Sequence, residues 1–154
     1  MSRRGRLVRW LRTGDGAWHC FADLGRGTAC SGVGKTARAA KWALARRLRV
    51  FWRDLKTLMH VRIEIELRGN CGYGARVLGT GAWNDRTVRL PFGCVCCGEG
   101  PVAEAATAQC VRRLKRACRR ASWASAELRS LTPSRMEAVQ AAKEKEENDG
   151  SRKR

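Results

Sequence analysis

The chain has 154 residues and carries 32 Lys+Arg against 14 Asp+Glu, a formal net charge of +18 with a pI near 10.9. That length holds one ordinary domain or two very small ones. The charge predicts a polyanionic partner, nucleic acid before an acidic membrane surface. No run approaches the ~18 apolar residues of a membrane span, and the sequence has neither a secretory apolar core nor a Ser/His/Asp or paired-carboxylate site, so an enzyme is not expected.

The first predicted element is a basic arm over residues 1–15, in which Asp15 is the first acid. Its composition suits a nucleic-acid-binding arm and also a mitochondrial transit segment. A first unit over 16–58 follows. Trp18–Leu24 reads as the clearest strand, with less sequence before it than in the second unit, so its sheet is expected to be shorter or to borrow a strand. Gly32-Val-Gly34 supplies the backbone freedom of a strand-to-helix junction. A helix is predicted from Lys35 to Leu58. Ala40, Leu44, Leu48, Phe51, Leu55 and Leu58 fall within about 80° of its wheel, a stripe that packs on a sheet. Lys35, Arg38, Arg46, Arg49, Arg53 and Lys56 gather opposite, with Trp42 projecting into the same arc. Cations without interposed acids repel one another unless an anion neutralises them.

A second unit is predicted over 59–125. Val61–Leu67 alternates strictly, as a half-buried strand does. Gly69–Gly74 is a turn cluster, and Arg76–Trp83 and Arg86–Val95 are two further strands joined by Asn84-Asp85. Gly98-Glu-Gly100 leads into a helix from Val102 to Ala124. Its stripe is Ala103, Ala106, Cys110, Ala117 and Ala121, with Arg112, Lys115, Arg116 and Arg119 opposite. Residues 126–154 form a charged tail, helical or disordered.

The two units share a repeat. Gly27–Leu48 and Gly93–Leu114 align without gaps 66 residues apart, with ten of 22 positions identical, among them Cys30/Cys96, Gly32/Gly98, Gly34/Gly100, Ala40/Ala106, Arg47/Arg113 and Leu48/Leu114. With a one-residue gap the match extends back to Gly14–Trp18 and Gly79–Trp83. One supersecondary unit is used twice. The expected fold class is α+β: two ββ(β)α units, tandem or fused into one antiparallel sheet, with basic helices on one face.

A sheet, a Gly-x-Gly turn and a basic Ala-rich helix resemble the C-terminal half of the double-stranded RNA-binding domain family. Gly32-Val-Gly-Lys-Thr-Ala-Arg-Ala-Ala-Lys41 is similar to its glycine pair, lysine-bearing helix start and alanine run. The resemblance implies that Lys35, Arg38 and Lys41 hold phosphates across a major groove, aided by the helix dipole. The family's first helix and minor-groove loop are not recognisable ahead of Trp18. Copy two has Pro101, Val102, Ala103 and Glu104 where the cations belong, which would make it a degenerate, structural or dimerising unit. Phe92–Gly98 also resembles the cysteine-rich regulatory proteins of some plant RNA viruses, hordeivirus gamma-b among them, which bind RNA and counter silencing.

Two other patterns in the sequence bear on function. Ala29-x4-Gly34-Lys35-Thr36 satisfies a loose phosphate-loop pattern, but its first position is not glycine and Ile63-Glu-Ile-Glu66 is a poor acid strand for Mg²⁺. Cys94 and Cys97 have zinc-knuckle spacing, and with Cys110 they form a candidate metal set. Cys110 and Cys118 lie about 12 Å apart along one helix, too far for one ion. Eight cysteines without a secretory signal indicate reduced thiols or metal. With the basic clusters Arg112–Arg116 and Ser151–Arg154, this places the chain in the cytoplasm or nucleus. The expected function is shape-selective binding of double-stranded RNA through phosphates, as in a viral suppressor of silencing, by Lys35, Arg38, Lys41, Trp42, Arg46, Arg49 and Arg53, supported by Arg112, Lys115, Arg116 and Arg119. A homodimer is compatible with it. The alternatives are a zinc-stabilised interaction protein and an organellar ribosomal or assembly protein.

Overall fold

The computed structural model describes residues 5–54, 61–69, 72–83, 86–89 and 94–153. Strands β1 (Val8–Arg12), β2 (Trp18–Asp23) and β3 (Thr28–Gly34) lead into helix α1 (Ala37–Arg49) and a π-helical turn, Val50–Asp54. Strands β4 (Val61–Leu67), β5 (Tyr73–Trp83), β6 (Arg86–Arg89) and β7 (Cys94–Gly100) lead into α2 (Ala103–Ser130), and α3 (Pro133–Arg152) closes the chain. The fold class is α+β, and the two units are fused. One antiparallel sheet runs β1-β2-β3-β7-β5-β4, with β6 pairing separately with β5.

Fusion occurs where the copies meet. β3 pairs with β7 as Thr28↔Cys96, Ala29↔Val95 and Cys30↔Cys94. The 66-residue repeat carries Thr28 onto Cys94 and Cys30 onto Cys96, so the outer pairs exchange and the central pair maps onto itself. This is the isologous pattern of a twofold interface, here inside one chain. Both helices pack on the same sheet face, so the approximate twofold axis stands normal to the sheet between Ala29 and Val95.

The register corrects the gapped alignment. Trp18 stands opposite Gly34 and Tyr73 opposite Gly100. Because Gly34 and Gly100 are repeat equivalents, Trp18 corresponds to Tyr73 and not to Trp83. The first unit contributes three strands against four from the second, and one of the three, β1, is formed by residues assigned to the basic arm. Val8 is buried against the core, and the five residues pair in register with β2.

Alternation places Trp18, Cys20, Ala22, Thr28, Cys30, Ala75, Val77 and Cys96 under the helices, all buried. Val33 and Val95 lie on the other face and stay about half exposed, at 49% and 53%. From above, α1 contributes Ala37, Ala40, Leu44 and Leu48, followed by Phe51 from the π turn. Helix α2 contributes Ala106, Cys110, Leu114, Ala117 and Ala121 as the wheel required, apart from Ala103, which is only partly buried, and Leu114, which lay outside the expected stripe.

Two boundaries move. The first α-helix stops at Arg49 rather than Leu58 and gives way to the wider π winding. Leu55, Lys56 and Leu58 lie outside the described residues. Helix α2 runs past 125 to Ser130 and buries Ala124 and Leu128. The tail is helical: Thr132 caps α3 by accepting a hydrogen bond from Arg135 N (3.2 Å), Pro133 opens the first turn, and Met136 is buried.

The added turns of α2 reach copy one. The Glu127 carboxylate accepts from Leu7 N (3.0 Å) and Val8 N (3.2 Å) at the head of β1. Glu127→Ala removes a charged acceptor from two part-buried amides and should cost about 1–3 kcal/mol in denaturant unfolding. Glu127→Gln should recover part of that loss by keeping an oxygen in place.

Candidate nucleic-acid interface

The glycines explain why the helices lie so close to the sheet. A Cβ on Gly32 would stand 2.3 Å from Leu44 N and 2.7 Å from Ala40 O, and one on Gly98 would stand 2.5 Å from Cys110 N and 2.7 Å from Ala106 O. Leu44 and Cys110, and likewise Ala40 and Ala106, are repeat equivalents. Each helix therefore rests on the bare backbone of its own last strand, which leaves its outer half to solvent.

A second identity locks that contact. Arg47 donates through Nη1 to Ser31 O, and Arg113 donates through Nη1 to Cys97 O at 2.9 Å. Ser31 and Cys97 are again repeat equivalents. These two arginines are spent on the fold, although their neighbours Arg46 and Arg112 are exposed. Sequence reasoning did not see this. The identical pair Arg46-Arg47/Arg112-Arg113 was its signal, since consecutive residues stand 100° apart on a helix and cannot share one task.

The expected binding residues fall into two groups. Arg46 and Arg49 on α1, and their repeat equivalents Arg112 and Lys115 on α2, are all exposed. Arg53 and its equivalent Arg119 extend the two patches. Arg53 is exposed but sits in the π turn, off the α-helical phase, and has a partner of its own. Arg116 is exposed, yet its stem passes over the β2–β3 turn, where a Cβ on Gly25 would meet Arg116 Cδ at 3.4 Å. Beside it Arg120 is neutralised by Asp23, Nη1 to Oδ1 3.2 Å. Among the described residues no carboxylate pairs with Lys35, Arg38, Lys41, Arg46, Arg49, Arg112, Lys115, Arg116 or Arg119.

The second group sits at the start of α1. Thr36 is its N-cap and its hydroxyl accepts from Ala39 N (3.1 Å). The first turn holds no acid, so Lys35 and Arg38, both exposed, add positive charge to the positive end of a helix. In copy two Val102 makes no side-chain cap bond, and Glu104 occupies the first turn. The mid-helix patches are duplicated and the helix-start cations are not. The phosphate-loop pattern does not form a loop, because residues 29–34 are strand β3 to its last residue.

Trp42 is 57% exposed. With Ala45, Arg49 and Trp52 it forms an i, i+3, i+7, i+10 stripe that faces Ser125, Leu128 and Arg129 across a groove of about 310 Å³, and Lys41 lines the same groove.

The cysteines divide by strand alternation. Cys96 is buried under α2, and its Sγ lies 3.9 Å from Cys110 O, while Cys110 Sγ lies 3.9 Å from Cys96 O. Cys97 points to the other face, 3.5 Å from Gly27 O. Cys97 and Cys110 therefore do not converge, and the Cys94 side chain is outside those described. Among the described residues no group of three or more Cys, His, Asp or Glu is placed to hold a metal. Hydrogen bonding to Cys96, then burial, holds the Cys110 thiol protonated. Burial pushes Cys20 up to about 12 and Cys118 to about 11.

These shifts have a sign. Above an ordinary thiol's 9.0, the unfolded chain loses the Cys20 and Cys118 protons first, so stability present below 9 is lost as pH climbs towards about 12. Denaturation midpoints should fall between pH 8 and pH 11, and less steeply for Cys20→Ala. At pH 8 a thiol reagent should label the half-exposed Cys97 well before Cys20 and Cys118, as peptide mapping would register.

No described helix is long and apolar enough to cross a membrane. No family model, curated protein or solved structure matches the chain.

Proposed function

We infer that this protein binds double-stranded nucleic acid, RNA in preference to DNA, by laying the outer sides of α1 and α2 along the phosphate backbones. The observation that carries the reading is the twofold disposition of unpaired cations. Arg46 and Arg49 are related to Arg112 and Lys115 by the axis between Ala29 and Val95, on the helix side of the sheet. A duplex has antiparallel backbones related by twofold axes normal to its length, so a twofold protein meets both strands equivalently. Such contacts position the protein and carry no base information. RNA is favoured because A-form duplexes are read by shape and backbone rather than through base edges.

The deciding experiment compares a blunt RNA duplex, the same sequence as DNA, and each single strand, at 50 and 200 mM salt. Duplex RNA should bind tightest, and log affinity should fall linearly with log salt. Equal affinity for single strands, or an affinity indifferent to salt, would refute the reading.

A further inference from the structure

We propose that the groove between α1 and the C-terminal half of α2 takes one unpaired nucleotide, with its base against Trp42 and its phosphate held by Lys41, Arg49 and Arg129. This inference rests on the nucleic-acid reading and names what that surface selects beyond the duplex backbone.

Its first support is the lining. Trp42 and Trp52 present apolar surface over the buried Leu128, three cations close the rim, and no acid is among the residues that line it. Lys41, Arg49 and Arg129 have no carboxylate partner among the described residues. Like charges brought together in this way repel unless an anion sits between them. An apolar peptide would leave that repulsion standing, whereas a nucleotide supplies both an aromatic face and a phosphate.

The second support is independent. Ser125 is among the residues that line the groove, and its Oγ is buried and makes no hydrogen bond within the protein. Buried hydroxyls are ordinarily satisfied, and turning this one towards the groove would let a bound group satisfy it. Base edges carry donors and acceptors that suit a hydroxyl, which can act as either.

Size and position agree. About 310 Å³ is at the small end of ligand sites, room for one nucleotide and not for a run of strand. The repeat equivalents of Trp42 and Trp52 are Ala108 and Cys118, so copy two has no such slot. The twofold surface recognises a symmetric duplex, and the slot adds one asymmetric contact at a bulge or an end.

The test measures fluorescence anisotropy with a blunt 20-base-pair RNA duplex and the same duplex carrying one bulged nucleotide. Wild type should favour the bulged duplex roughly 10-fold, within the range that base–aromatic stacking supplies. Trp42→Ala and Ser125→Ala should bring the ratio of the two affinities towards 1, and Trp42→Phe should restore most of it. Melting temperatures close to wild type would exclude unfolding as the cause. Adenosine monophosphate at millimolar concentration should quench tryptophan fluorescence in wild type more than in Trp42→Ala. Saturable quenching at that level without any bulge preference would place a free nucleotide in the slot and overturn its role in nucleic-acid selection. Equal quenching by hexaglutamate would overturn base recognition. If the blunt duplex binds but the ratio is 1 in wild type, the slot is refuted and the duplex reading stands. If neither duplex binds, both are refuted.

Discussion

Gly32→Val should destabilise the protein by about 3–5 kcal/mol or prevent folding, the largest loss expected of any single substitution here. The new Cβ would fall 2.3 Å from Leu44 N and 2.7 Å from Ala40 O. Both are backbone atoms of α1, so no side-chain rotation relieves the clash. The helix would have to lift away from β3 and uncover Leu44 and Leu48, which are fully buried. Gly98→Val should cost a similar amount, because a Cβ there stands 2.5 Å from Cys110 N and 2.7 Å from Ala106 O. Gly14→Ala is the control, since nothing lies within 4 Å of a Cβ at that position and its cost should stay within about 0.5 kcal/mol. Urea denaturation of the three variants gives the comparison. A Gly32→Val protein of wild-type midpoint would mean that α1 does not rest on β3.

Charge reversal tests the surface. Arg46→Glu with Arg49→Glu, and separately Arg112→Glu with Lys115→Glu, should each weaken binding to a blunt RNA duplex by about 100-fold at low salt. Each pair should also lower the slope of log affinity against log salt by roughly 2, close to one unit for every phosphate contact removed. All four side chains are exposed, so unfolding midpoints should hold or rise slightly as self-repulsion is relieved. The losses should be alike for every duplex sequence, because phosphate contacts carry no base information. The two pairs should also lose nearly equal amounts. Equality follows from the twofold relation, and a loss confined to the α1 pair would leave the duplex contact one-sided.

Much of this is legible in the sequence. Val61–Leu67 is a strand with the bounds its alternation implied. Gly32, Gly34, Gly98 and Gly100 mark strand-to-helix junctions, and the stripe Ala40, Leu44, Leu48 is buried. Local periodicity reports these reliably because each depends on a single burial direction along one element. Val8–Arg12 was hidden because its alternating Val8 and Trp10 are interleaved with arginines that also suit an arm. The π turn that displaces Arg53 and the extra turns of α2 were hidden as well. Both depend on packing against the other copy, which no single-element pattern encodes.

The chain written as letters establishes that one strand-to-helix unit occurs twice, and that its cations lie opposite its apolar stripes, since both follow from residue spacing alone. Only the folded arrangement shows that β3 and β7 join the copies about a twofold axis, that Arg47 and Arg113 serve the fold while Arg46 and Arg112 face solvent, and that Trp42, Trp52 and Ser125 meet around one groove. Those outcomes rest on pairing register and helix crossing, contacts between residues up to about 80 positions apart whose energies are settled together.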